Sequence, residues 1–202
     1  MTRSERKRRA IIDAAKEEFI QYGFLAANMD RICTSAEVSK RTLYRHFESK
    51  ELLFESVLTI LQTSAYEAVR YPFDPELSLY DQLTSISVKE ADILYQTYGI
   101  PLSRTIVMEF LRQPDMARNL INTLYSTKAV TQWFREAMEA GKLNETDLSV
   151  ITNIYISLFQ GMLFWPQVVK GEPVPEGRAL EDKIEIVVTT VLGACEAKNK
   201  LQ

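Results

Sequence analysis

The sequence predicts an all-α fold of about nine helices. Three observations carry that expectation. Apolar residues recur at steps of three and four along most of the chain, no alternating run is long enough for a sheet, and glycines and prolines cut the chain into helix-length pieces. With 202 residues, 46% of them apolar and 25% charged, the chain can bury a sizeable core and differs from a disordered one.

The elements follow in order. Ser4 is a candidate cap for a first helix whose apolar positions Ile12, Ala15 and Phe19 share a face, and Tyr22-Gly23 closes it where glycine permits the turn. Asn28 is a good N-cap for a short second helix through Ala36, and Ser39 caps a third to about Phe47. Ser49 caps a fourth that begins at Lys50 and runs through Leu53, Val57, Leu61 and Ala65 to about Arg70, long enough to act as a lever between the two ends of the molecule. Pro72, Pro75, Gly99 with Pro101, Pro114, Gly141 and the stretch from Pro166 to Gly177 punctuate the rest into about five more helices.

Leu148 to Val169 is a run of 22 residues without a charge, long enough on paper to span a bilayer. It carries Asn153, Gln160, Pro166 and Gln167 and lacks flanking basic clusters, so burial inside protein is expected and no membrane partner. Its apolar residues come in adjacent pairs every four residues, giving two apolar faces. Ile184, Val187, Val188, Val191, Leu192 and Cys195 repeat the wide stripe on the last helix. Two such helices per subunit, roughly Asp147 to Trp165 and Leu180 to Ala197, predict a homodimer through an intermolecular four-helix bundle.

Net charge is -3, but residues 1 to 50 carry 11 Lys/Arg against 7 Asp/Glu, while the remaining 152 carry 13 against 20. A basic head on an acidic body suits a small nucleic-acid-gripping domain attached to a larger one. Arg3, Arg6, Lys7, Arg8 and Arg9 alone would read equally well as a solvated tail. The two cysteines, Cys33 and Cys195, are far apart in sequence, and no apolar stretch follows the charged first residues at signal-peptide distance, so a reducing, cytoplasmic setting is expected.

Asn28 to Lys50 is the most informative stretch: a short helix, a tight turn at Glu37-Val38, and a second short helix. In the second helix Leu43 and Phe47 lie one turn apart and point inward with Val38, leaving Lys40, Arg41, Tyr44 and Arg45 on the opposite side. Charge content alone would fit an ordinary solvated face. Lys40, Arg41 and Lys50, however, fall at helix N-termini, where the macrodipole disfavours cations by about 0.3 to 1 kcal/mol each. An anion between them would resolve the misplacement, and phosphate is the natural candidate.

These residues resemble the TetR family of bacterial regulators. The match runs through Asp30-Arg31-Ile32-Cys33, Ala36-Glu37-Val38-Ser39, Lys40-Arg41-Thr42-Leu43-Tyr44-Arg45-His46-Phe47 and Ser49-Lys50-Glu51-Leu52-Leu53, about the first quarter of the chain. Three positions depart from the family's pattern: Glu37 stands where it usually has glycine, Arg41 where it has a small residue, and Cys33 where it has alanine. Glu37 is expected to strain a left-handed turn, and Cys33 to be a buried small residue rather than a redox switch.

The resemblance implies an N-terminal three-helix helix-turn-helix domain over 1–47 that binds double-stranded operator DNA, and a helical ligand-binding and dimerisation domain over 48–202. Lys40, Tyr44, His46 and Lys50 would contact phosphates, Asn28 and Ser39 would stand among the DNA-binding residues, and Arg41, Thr42 and Arg45 are candidates for base edges. Arginine suits the two acceptors of guanine, and threonine offers a hydroxyl or a methyl to thymine. In two-fold dimers of this kind the recognition helices stand about 34 to 36 Å apart.

Fifteen of the 20 aromatics follow residue 50. Most are expected to be core, but an apolar cavity between helices is expected too, with Arg104, Met108, Phe110, Trp133, Tyr155, Phe159 and Met162 as candidates to meet a small-molecule effector. Arg104 reads equally as a surface position, and so does Glu109 beside it. His46, the lone histidine, has no partners for a metal, and no cofactor is expected. The chain lacks a nucleophile-elbow, Walker, Rossmann or zinc-protease pattern, so an enzyme is not expected. A ligand-released repressor is the resulting reading, with an activator, or a constitutive dimeric DNA-binding protein without a ligand, as the alternatives.

Overall fold

The computed structural model describes residues 2–66, 69–115, 128–144 and 147–196, and every regular element among them is helical. The helices are α1 (Arg3–Ala26), α2 (Met29–Ser35), α3 (Lys40–His46), α4 (Lys50–Tyr66), α5 (Leu79–Asp92), continued by a π-helical turn (Ile93–Tyr98), α6 (Ile100–Arg112), α7 (Lys128–Glu139), α8 (Leu148–Leu163), α9 (Trp165–Val169) and α10 (Arg178–Glu196). They divide into two compact units, one containing α1 to α4 and α6, the other α5, its π-helical turn and α7 to α10.

In the first unit α1 is capped by Thr2, not by Ser4. Thr2 has Glu5 three residues on, so the two close a reciprocal box, with the Thr2 amide donating to Glu5 Oε2 at 2.6 Å and the Glu5 amide to Thr2 Oγ1 at 3.2 Å. Ser4 is followed at the same spacing by Lys7, which cannot reciprocate. Gly23 kinks the helix at φ 71°, ψ 170°, a region open essentially to glycine alone. Ile11, Ile12, Ala15 and Phe19 of α1 are buried with Ile32, Leu43, Leu53, Phe54, Val57 and Leu58. Phe19, Phe24 and Phe54 form an aromatic cluster with centroids 4.9 to 5.8 Å apart. Helix α6 joins this unit by burying Leu102 and Ile106 while the Thr105 hydroxyl donates to the Phe19 carbonyl at 3.4 Å.

The expectation that α4 continues to Arg70 is corrected: the helix is recorded to Tyr66, and Val69 and Arg70 are not helical. Pro72 disfavours helical geometry in the residue before it and supplies no N–H, which explains an end ahead of it. Glu67 and Ala68, the side chain of Ala65, and Ala197 at the end of the last predicted helix lie outside the described residues.

The second unit has its own core, built from Leu83 and Ile86 of α5, Trp133 and Phe134 of α7, Ile151, Tyr155 and Phe159 of α8, and Ile184, Val187, Val188, Val191 and Cys195 of α10. Gln82 pins its edge, accepting from Trp133 Nε1 at 3.2 Å and from the Asp74 amide at 2.9 Å while donating to the Asp74 carbonyl at 2.8 Å. The wide stripe of α10 is thus consumed within its own chain. Val191, expected to face a partner, is 0% exposed. The outward apolar positions are instead Val150, with Ile154 and Leu158 half-buried beside it on α8, and Ile186 on α10.

The 22-residue charge-free segment divides at Phe164 into α8 and the one-turn α9. Pro166 explains the division, because its ring clashes with the carbonyl four residues back and it has no N–H to give. The 16 residues of α8 reach only about 24 Å, short of the roughly 30 Å of a bilayer's hydrocarbon.

Candidate nucleic-acid interface

Two anchors fix the start of α2, one within its own turn and one to α1. The Asn28 side chain accepts from the Asp30 amide at 2.7 Å, which caps α2 as expected. The second anchor was not anticipated. Glu18, 8% exposed, accepts from the Asn28 amide at 2.8 Å and from Arg31 Nε and Nη2 at 2.9 and 2.5 Å. Arg31 also donates to the Ala26 carbonyl at 2.8 Å and lies over the Tyr22 ring at 4.2 Å, and the Glu18 hydrogen bond raises the guanidinium pKa. The signal was present in the sequence: Glu18 is an acid within the apolar stripe Ile11, Ala15 and Phe19, where an unpaired carboxylate would be costly.

Between α2 and α3, Glu37 sits at φ 52°, the one non-glycine residue at positive φ among those described. This is the left-handed position for which glycine is favoured. The Val38 amide closes the turn on the Cys33 carbonyl at 3.0 Å. The Cys33 thiol is buried and burial pushes its pKa up, so it is poorly ionised and suited to packing.

Ser39 caps α3 by accepting from the Thr42 amide at 3.2 Å, and the two hydroxyls lie 2.9 Å apart. Leu43 and Phe47 turn inward and are buried. Lys40, Arg41, Tyr44 and Arg45 are exposed on the opposite side, Tyr44 by 48%. His46 is half-buried, and its Nε2 is enclosed without a partner among the described residues. Burial first, then the cations Arg45, Arg8 and Lys7, hold the His46 pKa below its ordinary 6.5.

Two of the three cations at helix N-termini have partners within the chain. Lys40 Nζ pairs with Asp30 at 2.8 Å, both groups being exposed, and that bond raises the Lys40 pKa. Lys50 Nζ donates to the Leu25 and Ala27 carbonyls at 3.1 and 3.2 Å and lies 4.7 Å over the Phe24 ring. An external anion is therefore not required to explain either of them. Lys50 satisfies carbonyls at the kinked end of α1, a long-range role that spacing along α4 does not reveal.

Against this geometry, the model of bacterial regulatory proteins of the tetR family matches residues 11–57, and that of the AefR-like transcriptional repressor C-terminal domain matches 81–196. The second alone covers more than half of the chain. The chain belongs to the TetR family. The HTH-type transcriptional regulator UidR of Escherichia coli K12 is 29% identical over 168 residues, 80% of this chain and 82% of UidR. The crystal structure of a TetR family transcriptional regulator from Pseudomonas syringae pv. tomato is 30% identical, with a TM-score of 0.78, over 96% of this chain and 97% of that one. The flavonoid-responsive regulator FrrA is 29% identical, with a TM-score of 0.72, over 95% and 97% of the two chains. This TetR-family chain is a DNA-binding transcriptional regulator rather than an enzyme.

The seven positions of this TetR-family chain expected to meet an effector divide between the units. Arg104 and Met108 are exposed on α6, Met108 by 62%, and Phe110 is half-buried on the same helix. Glu109 beside them is not a surface residue: it is buried and accepts from Gln113 Nε2. In the second unit Trp133, Tyr155 and Phe159 are core. Trp133 packs on Phe134 at 5.2 Å, Phe134 on Tyr155 at 6.1 Å and Tyr155 on Phe159 at 6.0 Å. The Tyr155 hydroxyl meets that of Ser87 at 3.1 Å, and burial raises its pKa. Met162 is half-buried against the same core. Thus the aromatic trio packs on itself within its unit rather than around a space. A cavity of about 380 Å³ in this unit is lined instead by residues including Leu79, Tyr80, Leu143, Asn144 and Leu192.

Proposed function

We propose that this chain is a ligand-responsive repressor, a cytoplasmic homodimer that holds operator DNA through residues 1–47 and releases it when a small molecule binds within 48–202. The observation that carries the DNA reading is the outward face of α3: Lys40, Arg41, Tyr44 and Arg45 stand exposed on a helix locked from beneath by Leu43 and Phe47. Arg41 and Thr42, in its first turn, read base edges, as residues early in a recognition helix do. Lys40, Tyr44 and His46 take phosphates, and Lys50 adds the one ammonium N–H that its two carbonyl bonds leave over. Asn28 and Ser39 present the capped helix ends to the same backbone. The outward apolar positions Val150, Ile154, Leu158 and Ile186 supply the dimer face.

Ligand response draws support from FrrA, which is flavonoid-responsive, and repression from the likeness of residues 81–196 to the AefR-like repressor domain. A constitutive DNA-binding dimer is favoured by one observation, the closed packing of Trp133, Tyr155 and Phe159. Both tryptophans, Trp133 and Trp165, lie in the second unit, so a fluorescence titration with apolar and cationic compounds, with and without saturating operator, separates the readings. By linkage a releasing ligand binds more weakly when DNA is bound, by about 5 to 150-fold. Equal ligand affinity in both titrations, or no ligand at all, favours the constitutive dimer and sinks the ligand-released one.

A further inference from the structure

We propose that Arg45 contacts the DNA backbone rather than a base edge, and that it does so together with Arg3 and Lys7 of α1 as a single cleft for a backbone phosphate. The proposal rests on the reading of α3 as the recognition helix and adds a second element, the start of α1, to the DNA-binding surface.

Four of the described residues line this cleft of about 410 Å³: Arg3, Ser4, Lys7 and Arg45. Arg3 and Lys7 are one helical turn apart on α1, so their side chains share a face and repel each other. Arg45 comes to the same cleft from α3, adding a third positive charge. No acid lines it. The neighbouring charges are already engaged: Glu5 in the capping box with Thr2, Arg9 with Asp13 at 3.1 Å, Arg8 over the Phe47 ring at 5.1 Å, and Lys40 with Asp30. Arg3, Lys7 and Arg45 form no ion pair among the described residues. The cations' field reaches inward as well, since Arg45 and Lys7 are among the charges that disfavour protonated His46.

Placement decides between base and backbone. In helix-turn-helix domains the N-terminal residues of the recognition helix reach base edges. Arg41 and Thr42 hold those positions here, whereas Arg45 lies in the last turn of the seven-residue α3, on the side of the α1 start. Three donor-rich cations and a serine hydroxyl around one opening match the several acceptor oxygens of a phosphodiester, to which arginine binds bidentately. The basic N-terminal segment is on this account a contact surface and not a solvated tail.

The test uses the full-length chain, its Arg45→Gln, Arg45→Lys and Arg41→Gln variants, and the double variant Arg3→Gln/Lys7→Gln. Binding is followed by fluorescence anisotropy across a salt series, on a random-sequence duplex and on one that the unaltered chain selects from a random library. Arg45→Gln and the double variant are expected to weaken both duplexes by the same factor and to make the log–log salt slope shallower, by about 0.9 for each phosphate that is no longer neutralised. Arg45→Lys retains the slope, because a point charge still serves a phosphate, and Arg41→Gln weakens the selected duplex alone. Weaker binding of the selected duplex only, with an unchanged slope, for Arg45→Gln overturns the reassignment. An unchanged slope for the double variant removes α1 from the interface. Steep salt dependence of the unaltered chain in either case leaves the DNA reading itself standing, whereas its absence from the unaltered chain brings down both.

Discussion

Replacing Lys50 with methionine separates two roles for a residue that family resemblance assigns to phosphate alone. The substitution keeps most of the aliphatic stem over Phe24 and removes both N–H bonds, to Leu25 at 3.1 Å and to Ala27 at 3.2 Å. A hydrogen bond from a charged group contributes about 1.5 to 3 kcal/mol. One of these two is solvent-exposed and contributes less than that, so the pair together is expected to contribute about 2 to 3 kcal/mol, at or just below the bottom of the summed range. That lowers the ratio of folded to unfolded head by roughly 30-fold or more. Both tryptophans lie in the other unit, so the readout should come from the head: amide hydrogen exchange in the last turn of α1 and the first turn of α4, beside urea unfolding followed by circular dichroism. Stability and exchange protection within about 0.5 kcal/mol of the unaltered chain would refute the carbonyl-clamp role. A shallower DNA salt slope with unchanged stability would return Lys50 to phosphate binding alone.

Three more outcomes are expected. Glu37→Gly relieves the positive φ and raises stability by about 0.5 to 1.5 kcal/mol; a lower melting temperature would show that the turn carries no strain. Because the His46 pKa is held below 6.5 in the folded chain, the unfolded chain takes up the proton first on acidification, so this contribution to stability is complete above about pH 6.5 and is lost as the pH falls below it. His46→Gln should then lose less stability between pH 7.5 and 5.5 than the unaltered chain does, and an equal loss in both would contradict the argument. Val191→Asp places a charge in a fully buried core position and unfolds the second unit, whereas Ile186→Asp, at a position 48% exposed, leaves the fold intact and weakens self-association by light scattering. A folded Val191→Asp, or an Ile186→Asp dimer as tight as the original, would refute the respective half.

Local rules made the head legible. Asn28, Ser39 and Ser49 each cap the helix that follows them, as side-chain chemistry at those positions dictates, and the inward pair Leu43 and Phe47 follows from helical spacing. Thr2 displaced Ser4 because a cap is decided by the residue three positions on as well as by the cap itself. Glu18 announces itself as an acid in an apolar stripe, but its partner Arg31, like the carbonyls that Lys50 reaches, does not, since each contact joins residues 13 to 25 apart whose approach depends on the kink and the turn between them. In the second unit periodicity identified apolar faces but not their recipients. The α10 stripe that reads as a partner surface is filled by α5 and α8 of the same chain, and aromatics named as cavity candidates serve first as its core.

Whether the exposed face of α3 reads duplex DNA in sequence is decided by selection from a random duplex library with the full-length chain. Enrichment of a two-fold symmetric sequence whose affinity falls steeply with salt is expected, together with an Arg41→Gln variant that loses discrimination at one base position of each half-site. A pool that remains random after repeated rounds, or binding indifferent to salt, would contradict it.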